Sequence, residues 1–410
     1  MKPMATAAHP LPVKRHPQFA SLVIAIACAF GIATTLLFLA IMPVSRHLAG
    51  ARDYVIYWAT GQQLAHHANP YDPDQMRQLE HSAGFAGKAS LVNYMRNPPW
   101  GLPLALPLGF FSARVAALPW SLLMLALLIL SVRILWKMFG QSGSHLEWLG
   151  YCFPPALICV IMGQTSLFLL LGLVLFLRLH RTNPFWAGAA LWFCTLKPHL
   201  FVPFGIALLL WVIVTRKYRV VLGTVALLAF SCAVTTLIDP SAWSQYGHWA
   251  HTSGISNEFL PCLGVALRNL IDPNAKWLAF VPCAFGSVWA LDYFRRHRDH
   301  WDWLEHGSLV MLVSVLVAPY CWFYDQSLAL PALLFAACRT QSRTLLAVLG
   351  LLYLAIEVQP LFFPEPETAL YLWTAPAWLI WFVFARSSPR SEAAAQNPVA
   401  ATAPLSSAAL

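Results

Sequence analysis

A guanidinium and a carboxylate stand side by side at Arg52 and Asp53, a few residues beyond the first long apolar run of the chain. An ionisable residue at the membrane boundary is costly, so Asp53 is a candidate functional residue, with Arg52 and Tyr57 as candidates for binding substrate. Three aromatic residues follow Asp53 at helical spacing: Tyr54, Tyr57 and Trp58. They predict an amphipathic helix over 54–65 along an interface, capped by Asp53. The plainer alternative is a cap and an ion pair at a wet surface.

Other polar residues stand between apolar runs, where they could bind a phosphate. In "CTLKPHL" (194–200), Lys197 is followed closely by His199. A lysine buried there needs an anionic partner, and the phosphate of a ligand is an economical one. Arg96, in "YMRNPPW" (94–100), could clamp a phosphate bidentately or be an ordinary interfacial arginine. Gln164, in "GQTS" (163–166), adds an amide beside two hydroxyls.

Aromatic residues surround a second carboxylate late in the chain, in "PYCWFYD" (319–325). Tyr324 and Asp325 could bind a sugar or a prenyl chain, although a belt of interfacial aromatic residues explains the same pattern equally well. The "NPYD" corner (69–72) predicts a turn that closes the first polar helix, because a residue before proline disfavours helical geometry.

Several catalytic motifs are absent from the sequence, which has no GxxxxGK[ST], GxGxxG, HExxH or GxSxG. ATP-driven transport and zinc or serine hydrolysis are therefore disfavoured. The nine cysteines form no CxxC pair, which disfavours a disulfide framework or a zinc site. We expect no metal and no cofactor.

The composition is that of an integral membrane protein. Of 410 residues, 59% are hydrophobic and only 10% are charged, whereas soluble domains carry about 25% charged residues. The net charge of +9 comes from basic residues scattered at the ends of apolar runs. This pattern is typical of membrane orientation and argues against a nucleic-acid partner.

The apolar runs predict an all-α polytopic protein with about 12 spans (10–13), allowing about 20 residues for each crossing. The predicted spans are 19–42, 115–137, 148–162, 165–179, 184–197, 199–215, 219–238, 275–293, 304–319, 325–338, 343–359 and 367–385. Several are shorter than a full crossing and come in close pairs, which is typical of tilted or broken helices. Between the first two spans lies an outer loop, 43–114, whose Pro-rich part (97–111) is too short to span alone and predicts a re-entrant or interfacial element.

The basic residues also predict the orientation of the chain. Most Lys and Arg fall on the side of the two termini if the N-terminus is cytoplasmic, while the acidic residues favour the other side. We therefore expect cytoplasmic tails at 1–18 and 387–410, the second disordered, around a single membrane domain, 19–386. The outer loop would face away from the cytoplasm and its ATP.

The motifs occur in a recognisable order: "RDYVIYWATGQQL…NPYD", "NPPWGLPLALPL", "GQTSLFLLLGL", "AGAALWFCTLKPHL" and "APYCWFYDQSLALPALL". Over residues 20–340 the chain resembles glycosyltransferase family 87, membrane transferases of the GT-C superfold that use polyprenyl-phosphate sugars. The resemblance implies a GT-C-like bundle in a bacterial inner membrane with an extracytoplasmic active site. It departs from the family pattern at Asn97, where a tyrosine is common, and near Asp325, where a histidine often follows the tryptophan.

The resemblance also implies roles for individual residues. Asp53 matches the presumed general base, and Gln164 and Lys197 match motifs that line the lipid-phosphate and donor site. The expected reaction is transfer of a sugar, by family habit mannose, from polyprenyl phosphate to a lipid or glycan acceptor, with inversion at the anomeric carbon. Three alternatives remain: a transporter or flippase of lipid-linked sugars, a polymerase or ligase of surface polysaccharide, and a membrane scaffold. The sequence leaves the oligomeric state open.

Overall fold

The structure is a computed structural model, and it describes residues 18–41, 52–84, 95–140, 145–252, 260–362 and 369–388. Within these ranges every regular element is helical, which confirms the all-α prediction. The predicted tails lie outside the described residues except for Gln18, Ser387 and Ser388. Parts of the predicted outer loop, 42–51 and 85–94, also lie outside them.

The α-helices of the described ranges are numbered here in chain order. They are α1 (Gln18–Ile41), α2 (Tyr54–Ala65), α3 (Pro73–Ser82), α4 (Ala113–Phe139), α5 (Glu147–Tyr151), α6 (Pro154–Met162), α7 (Ser166–Leu179), α8 (Pro184–Ala190), α9 (Val202–Thr215), α10 (Tyr218–Ile238), α11 (Ala242–Thr252), α12 (Leu263–Ile271), α13 (Val281–His297), α14 (Ser308–Val317), α15 (Leu330–Arg339), α16 (Arg343–Phe362) and α17 (Thr374–Ser387). Short 3₁₀ helices lie between them at Pro99–Leu104, Leu106–Phe110, Leu191–Leu196, Pro198–Phe201, Lys276–Phe280, Arg298–His300, Phe323–Ala329 and Ala369–Tyr371, and a π-helical turn at Trp303–Gly307.

Five helical segments of the described residues are long and apolar enough to cross a membrane: Phe19–Ile41, Ala113–Phe139, Pro198–Thr215, Tyr218–Ile238 and Lys276–His300. Shorter apolar helices follow the predicted pairs at Glu147–Met162, Ser166–Leu179, Pro184–Leu196 and Trp303–Val317. The total of about 12 spans stays a prediction. Proline opens α6 and α8, where its missing N–H breaks no helical hydrogen bond, so the short helices begin where the sequence places it.

Helix α2 is buried inside the protein, so the prediction of an interfacial helix with aromatic anchors was wrong. The aromatic side chains meant to face the interface, Tyr54, Tyr57 and Trp58, are only 0%, 4% and 5% exposed. The backbone of α2 is in direct contact with the 3₁₀ helix at Leu106–Phe110. A Cβ added at Gly61 would collide with the backbone at Ala105 and Gly109, and one added at Gly109 would collide with the backbone at Gly61. Helix α2 is thus positioned by packing against the Pro-rich segment and not by aromatic anchors at an interface.

The "NPYD" corner forms the turn that the sequence predicted. Asn69 Oδ1 accepts the backbone N–H of Tyr71 at 2.9 Å. Asp72 then caps α3, because its Oδ1 accepts the N–H groups of Asp74 and Gln75 at 2.9 and 3.1 Å. Asp72 therefore supplies the carboxylate cap of α3.

Helix packing brings four separate chain segments to one place. Helix α4 packs along α7, α1 along α16, α8 along α10, and the 3₁₀ helix at 323–329 packs on α6 and α7. The start of α2, the turn between α6 and α7, the junction at Lys197 and the 323–329 helix meet as a result.

Candidate active site

Asp53 directly precedes α2, and its carboxylate faces the turn between α6 and α7. It makes no side-chain cap to the helix, so the predicted cap was wrong. Its Oδ2 instead accepts a hydrogen bond of 2.8 Å from Nε2 of Gln164. Asp53 remains partly exposed, which leaves room for a hydroxyl to approach the carboxylate.

The amide of Gln164 is oriented by its other partners. Its Oε1 accepts a hydrogen bond from the Tyr57 hydroxyl at 2.9 Å and from Lys197 Nζ at 3.5 Å. Both groups donate, so the oxygen must face them and the NH₂ must face Asp53. Gln164 is buried, with 5% of its surface exposed. The Asp53 carboxylate is therefore held by a side chain that has little freedom of its own.

A left-handed glycine presents Gln164 to Asp53. Gly163 ends α6 with φ of +74°, a conformation in which glycine pays no steric penalty. The N–H groups of Gly163 and Gln164 both donate to the carbonyl of Cys159, at 2.9 and 3.1 Å. A Cβ added at Gly163 would lie 2.7 Å from Cβ of Tyr54, so the turn and the start of α2 fit closely together.

Lys197 is paired with a carboxylate of the protein itself. Its Nζ lies 2.7 Å from Oδ1 of Asp325, and it also donates to Ser166 Oγ at 3.2 Å. Ser166 donates in turn to Asp325 Oδ1, and Asp325 Oδ2 accepts the backbone N–H of Trp322 at 3.0 Å. The expectation that Lys197 needs a ligand phosphate as its anionic partner was therefore wrong, since Asp325 supplies the charge.

Asp325 is completely buried, at 0% exposure, and both its oxygens are engaged. It acts as the counter-ion of Lys197 and as a brace for the 323–329 helix. This role was missed in the sequence, where the two residues are 128 positions apart. The hydroxyls of "GQTS" were the available signal, because Ser166 joins the pair.

Aromatic side chains and a second cation complete the cluster. Arg96 lies over the ring of Trp322, with 5.8 Å from its Cζ to the ring centroid, and Lys197 Nζ lies 5.0 Å from the ring centroid of Tyr324. The Trp322 and Tyr324 rings stack, with centroids 5.9 Å apart and planes inclined by 10°. The predicted aromatic group thus belongs to the same cluster as Asp53.

The electrostatic environment of Asp53 suits a group that exchanges a proton. Burial raises the pKa of its carboxyl above the ordinary value, while hydrogen bonds from Gln164 and Tyr324 and the charges of Lys197 and Arg96 lower it and offset part of that effect. A carboxylate with a raised pKa is a stronger base than one in bulk water.

Two predicted binding residues have other partners in the structure. Arg52 is 2% exposed, and its guanidinium donates to the carbonyls of Ile161 and, at 3.1 Å, Val160, at the end of α6, and to Ser121 Oγ at 2.9 Å. It therefore satisfies helix carbonyls that lack a partner within α6. His199 stacks on Tyr320, with ring centroids 3.6 Å apart.

The described residues contain no group of three or more His, Cys, Asp or Glu side chains arranged to hold a metal ion. Arg96, Gln164, Lys197, Tyr324 and Asp325 meet around Asp53, with Tyr57 behind Gln164. The cluster combines a carboxylate, two cations and stacked aromatic rings around one partly exposed residue. Such an arrangement can accept a proton and stabilise a developing negative charge.

One comparison with known proteins gives a match. The family model described as glycosyltransferase family 87 matches residues 94–319. No curated protein and no solved structure matches the chain. The matched range contains Arg96, Gln164 and Lys197, whereas Asp53 and Asp325 lie outside it.

Proposed function

The chain belongs to glycosyltransferase family 87, and from this membership of a family of membrane glycosyltransferases we propose a specific reaction. The protein transfers a sugar, mannose in the first instance, from a polyprenyl-phosphate donor to a hydroxyl of a lipid or glycan acceptor. Asp53 is the general base, and the transfer inverts the anomeric carbon. The reaction takes place on the extracytoplasmic side of the membrane.

The observation that carries the proposal is the environment of Asp53. Asp53 is partly exposed as a residue, its carboxylate is held at 2.8 Å by Gln164, and the charges of Lys197 and Arg96 act on it. A carboxylate that served only as a surface cap would have neither a buried amide dedicated to it nor two cations nearby. The acceptor hydroxyl gives its proton to Asp53 while its oxygen attacks the anomeric carbon from the face opposite the phosphate.

The leaving group defines the task of the cations. As the bond between the anomeric carbon and the phosphate oxygen breaks, its electron pair passes to the phosphate, which gains negative charge. Arg96 is well suited to stabilise that charge, because a guanidinium can bind phosphate through two parallel hydrogen bonds. Lys197 is already neutralised by Asp325 at 2.7 Å, so its effect on the phosphate is weaker. The geometry of its guanidinium is the reason that we assign the main phosphate contact to Arg96.

A lipid-linked donor fits the side of the membrane on which the cluster is expected. The sequence has no nucleotide-binding motif, and the bias of basic residues toward the side of the two termini supports an extracytoplasmic position for the segment around Asp53. A sugar activated by a lipid phosphate needs neither a nucleotide nor ATP there. The aromatic pair Trp322 and Tyr324 offers flat apolar faces for a sugar ring.

The test is an assay of the purified protein with polyprenyl-phosphate-mannose and extracted acceptor lipids. Replacing Asp53→Asn removes the base but keeps a hydrogen-bonding side chain of the same size. We expect the rate of transfer to fall about 10²–10⁴-fold. The matched control is Asp72→Asn, a carboxylate in the same polar region that caps α3, where asparagine serves equally well as a cap.

Full transfer by the Asp53→Asn protein would remove Asp53 from the mechanism. A flippase is the competing function, because it would use the same aromatic and basic residues. It predicts movement of the lipid-linked sugar across proteoliposomes without any new glycosidic bond, and Asp53→Asn would then change affinity while leaving transport intact.

A further inference from the structure

An apolar cavity borders the segment that carries the site residues and is not used by the proposed reaction. Its volume of about 540 Å³ lies within the range of about 300–1,000 Å³ typical of ligand pockets. Residues from the start of α12, the end of α14 and the start of α17 line it. Three lining residues, Leu263, Leu370 and Trp373, are 41%, 40% and 37% exposed, so the cavity opens on to an apolar surface.

One lining side chain is polar and incompletely satisfied. Gln326 lines the cavity and is 1% exposed. Its Oε1 accepts a hydrogen bond of 3.0 Å from Trp378 Nε1, which fixes the orientation of the amide. Its Nε2 has no hydrogen-bond partner among the described residues. A buried donor without an acceptor is costly, so this amide is suited to an occupant that brings an acceptor.

Water is a poor occupant of this cavity. A buried water needs two to four polar partners, and apart from Gln326 the polar side-chain atoms of the lining are the thiols of Cys262 and Cys321 and the indole nitrogen of Trp373, which can only donate. Both thiols already donate to backbone carbonyls, those of Pro319 and Trp322. The occupant must therefore be mostly apolar and carry an isolated hydrogen-bond acceptor.

We propose that the cavity binds an acyl chain of an ester-linked glycerolipid, with the ester carbonyl accepting a hydrogen bond from Nε2 of Gln326. An acyl ester has the required chemistry, since its carbonyl is an acceptor next to a long apolar chain. The isoprenyl part of the proposed donor has no such acceptor and does not satisfy the amide. The site is thus separate from the donor and does not depend on the proposed transfer reaction.

The position of the cavity gives the bound lipid a structural task. Gln326 directly follows Asp325, and Cys321 directly precedes Trp322. The lipid therefore supports the segment whose residues pair with Lys197 and lie under Arg96. Loss of the lipid loosens that segment.

The test compares two lipids on the wild-type protein, so it needs no variant. Native mass spectrometry of the detergent-purified protein is run with equal amounts of diester and diether phosphatidylglycerol of the same chain length. The ether analogue lacks the carbonyl. We expect the diester to be retained about tenfold more strongly, equivalent to about 1.4 kcal/mol. Equal retention of the two lipids would overturn the proposal.

Variants locate the effect. Gln326→Leu should abolish the preference for the ester, because it removes the donor and keeps a side chain of similar size. Ala375→Phe fills the cavity and should lower retention of both lipids, and Val383→Phe, on the exposed face of the same helix, should not. An ester preference that survives Gln326→Leu, or unchanged retention in Ala375→Phe, would refute the site. None of these readouts measures sugar transfer, so the outcome is independent of the proposed function.

Discussion

The buried pair of Lys197 and Asp325 gives the sharpest prediction about this protein. Lys197 Nζ lies 2.7 Å from Asp325 Oδ1, and the side chains of the two residues are 12% and 0% exposed. Breaking such a pair from one side leaves an uncompensated buried charge, which costs about 3–5 kcal/mol. We expect Lys197→Met and Asp325→Asn each to lower the free energy of unfolding by about this amount. The double variant has no unpaired charge and should be far more stable than the sum of the two effects predicts.

The matched control is a pair with the same separation and different burial. Arg296 and Asp292 also lie 2.7 Å apart, but their side chains are 69% and 38% exposed. An exposed pair contributes about 0–1 kcal/mol, so Arg296→Met should be nearly neutral. The comparison separates the effect of burial from that of distance.

The assay is reversible unfolding of the detergent-purified variants, followed through a double-mutant cycle. We expect a coupling energy of about 2–3 kcal/mol between Lys197 and Asp325. Effects that add to within about 0.5 kcal/mol would refute the conclusion that the two charges depend on each other. A stable double variant also allows an activity test: if it retains transfer, Lys197 does not act on the donor phosphate.

Three further predictions concern the residues around Asp53. Gln164→Leu removes a hydrogen bond that lowers the pKa of Asp53, so the pKa of Asp53 should rise. Because the proposed base works only when deprotonated, the acid limb of the kcat/KM profile should move to higher pH. An unchanged acid limb would contradict the positioning role of Gln164. Arg52→Met should lower the free energy of unfolding by about 1–3 kcal/mol, because the carbonyls at the end of α6 lose their donor. The KM of the folded variant should be unchanged. A raised KM would show that Arg52 contributes to substrate binding. Gly163→Ala forces a Cβ into a left-handed turn against Tyr54 and should cost about 1–3 kcal/mol, as measured by a lower Tm.

Much of the fold was predictable because it depends on local patterns. Apolar runs of about 20 residues predict spans, and the described helices α1, α4 and α10 follow them closely. The turn at "NPYD" was predictable for the same reason, since proline and asparagine act within a few residues. The choice of cap was not: both Asp53 and Asp72 precede a helix, and only Asp72 turns its carboxylate to the N–H groups.

The polar partners were beyond local reasoning. The sequence identified Lys197 as a buried cation that needs an anion, but it could not distinguish a ligand phosphate from a carboxylate elsewhere in the chain. Arg52 lies beside Asp53, which suggested an ion pair, and yet its guanidinium reaches the end of α6, more than a hundred residues away. The side chains of Arg52 and Asp53 point in different directions at the start of α2. Their adjacency in sequence therefore did not predict which groups they contact.

The sequence by itself determined the class of the protein, the positions of most helices and the ordered motifs that place it in its family, because these follow from composition and from periods of a few residues. The tertiary structure alone decided which polar groups meet. Asp53 and Gln164 are 111 positions apart, and Lys197 and Asp325 are 128 apart. Their contacts depend on how α2, α6, α7 and the 323–329 helix pack, and packing joins residues whose distance along the chain carries no information about their distance in space.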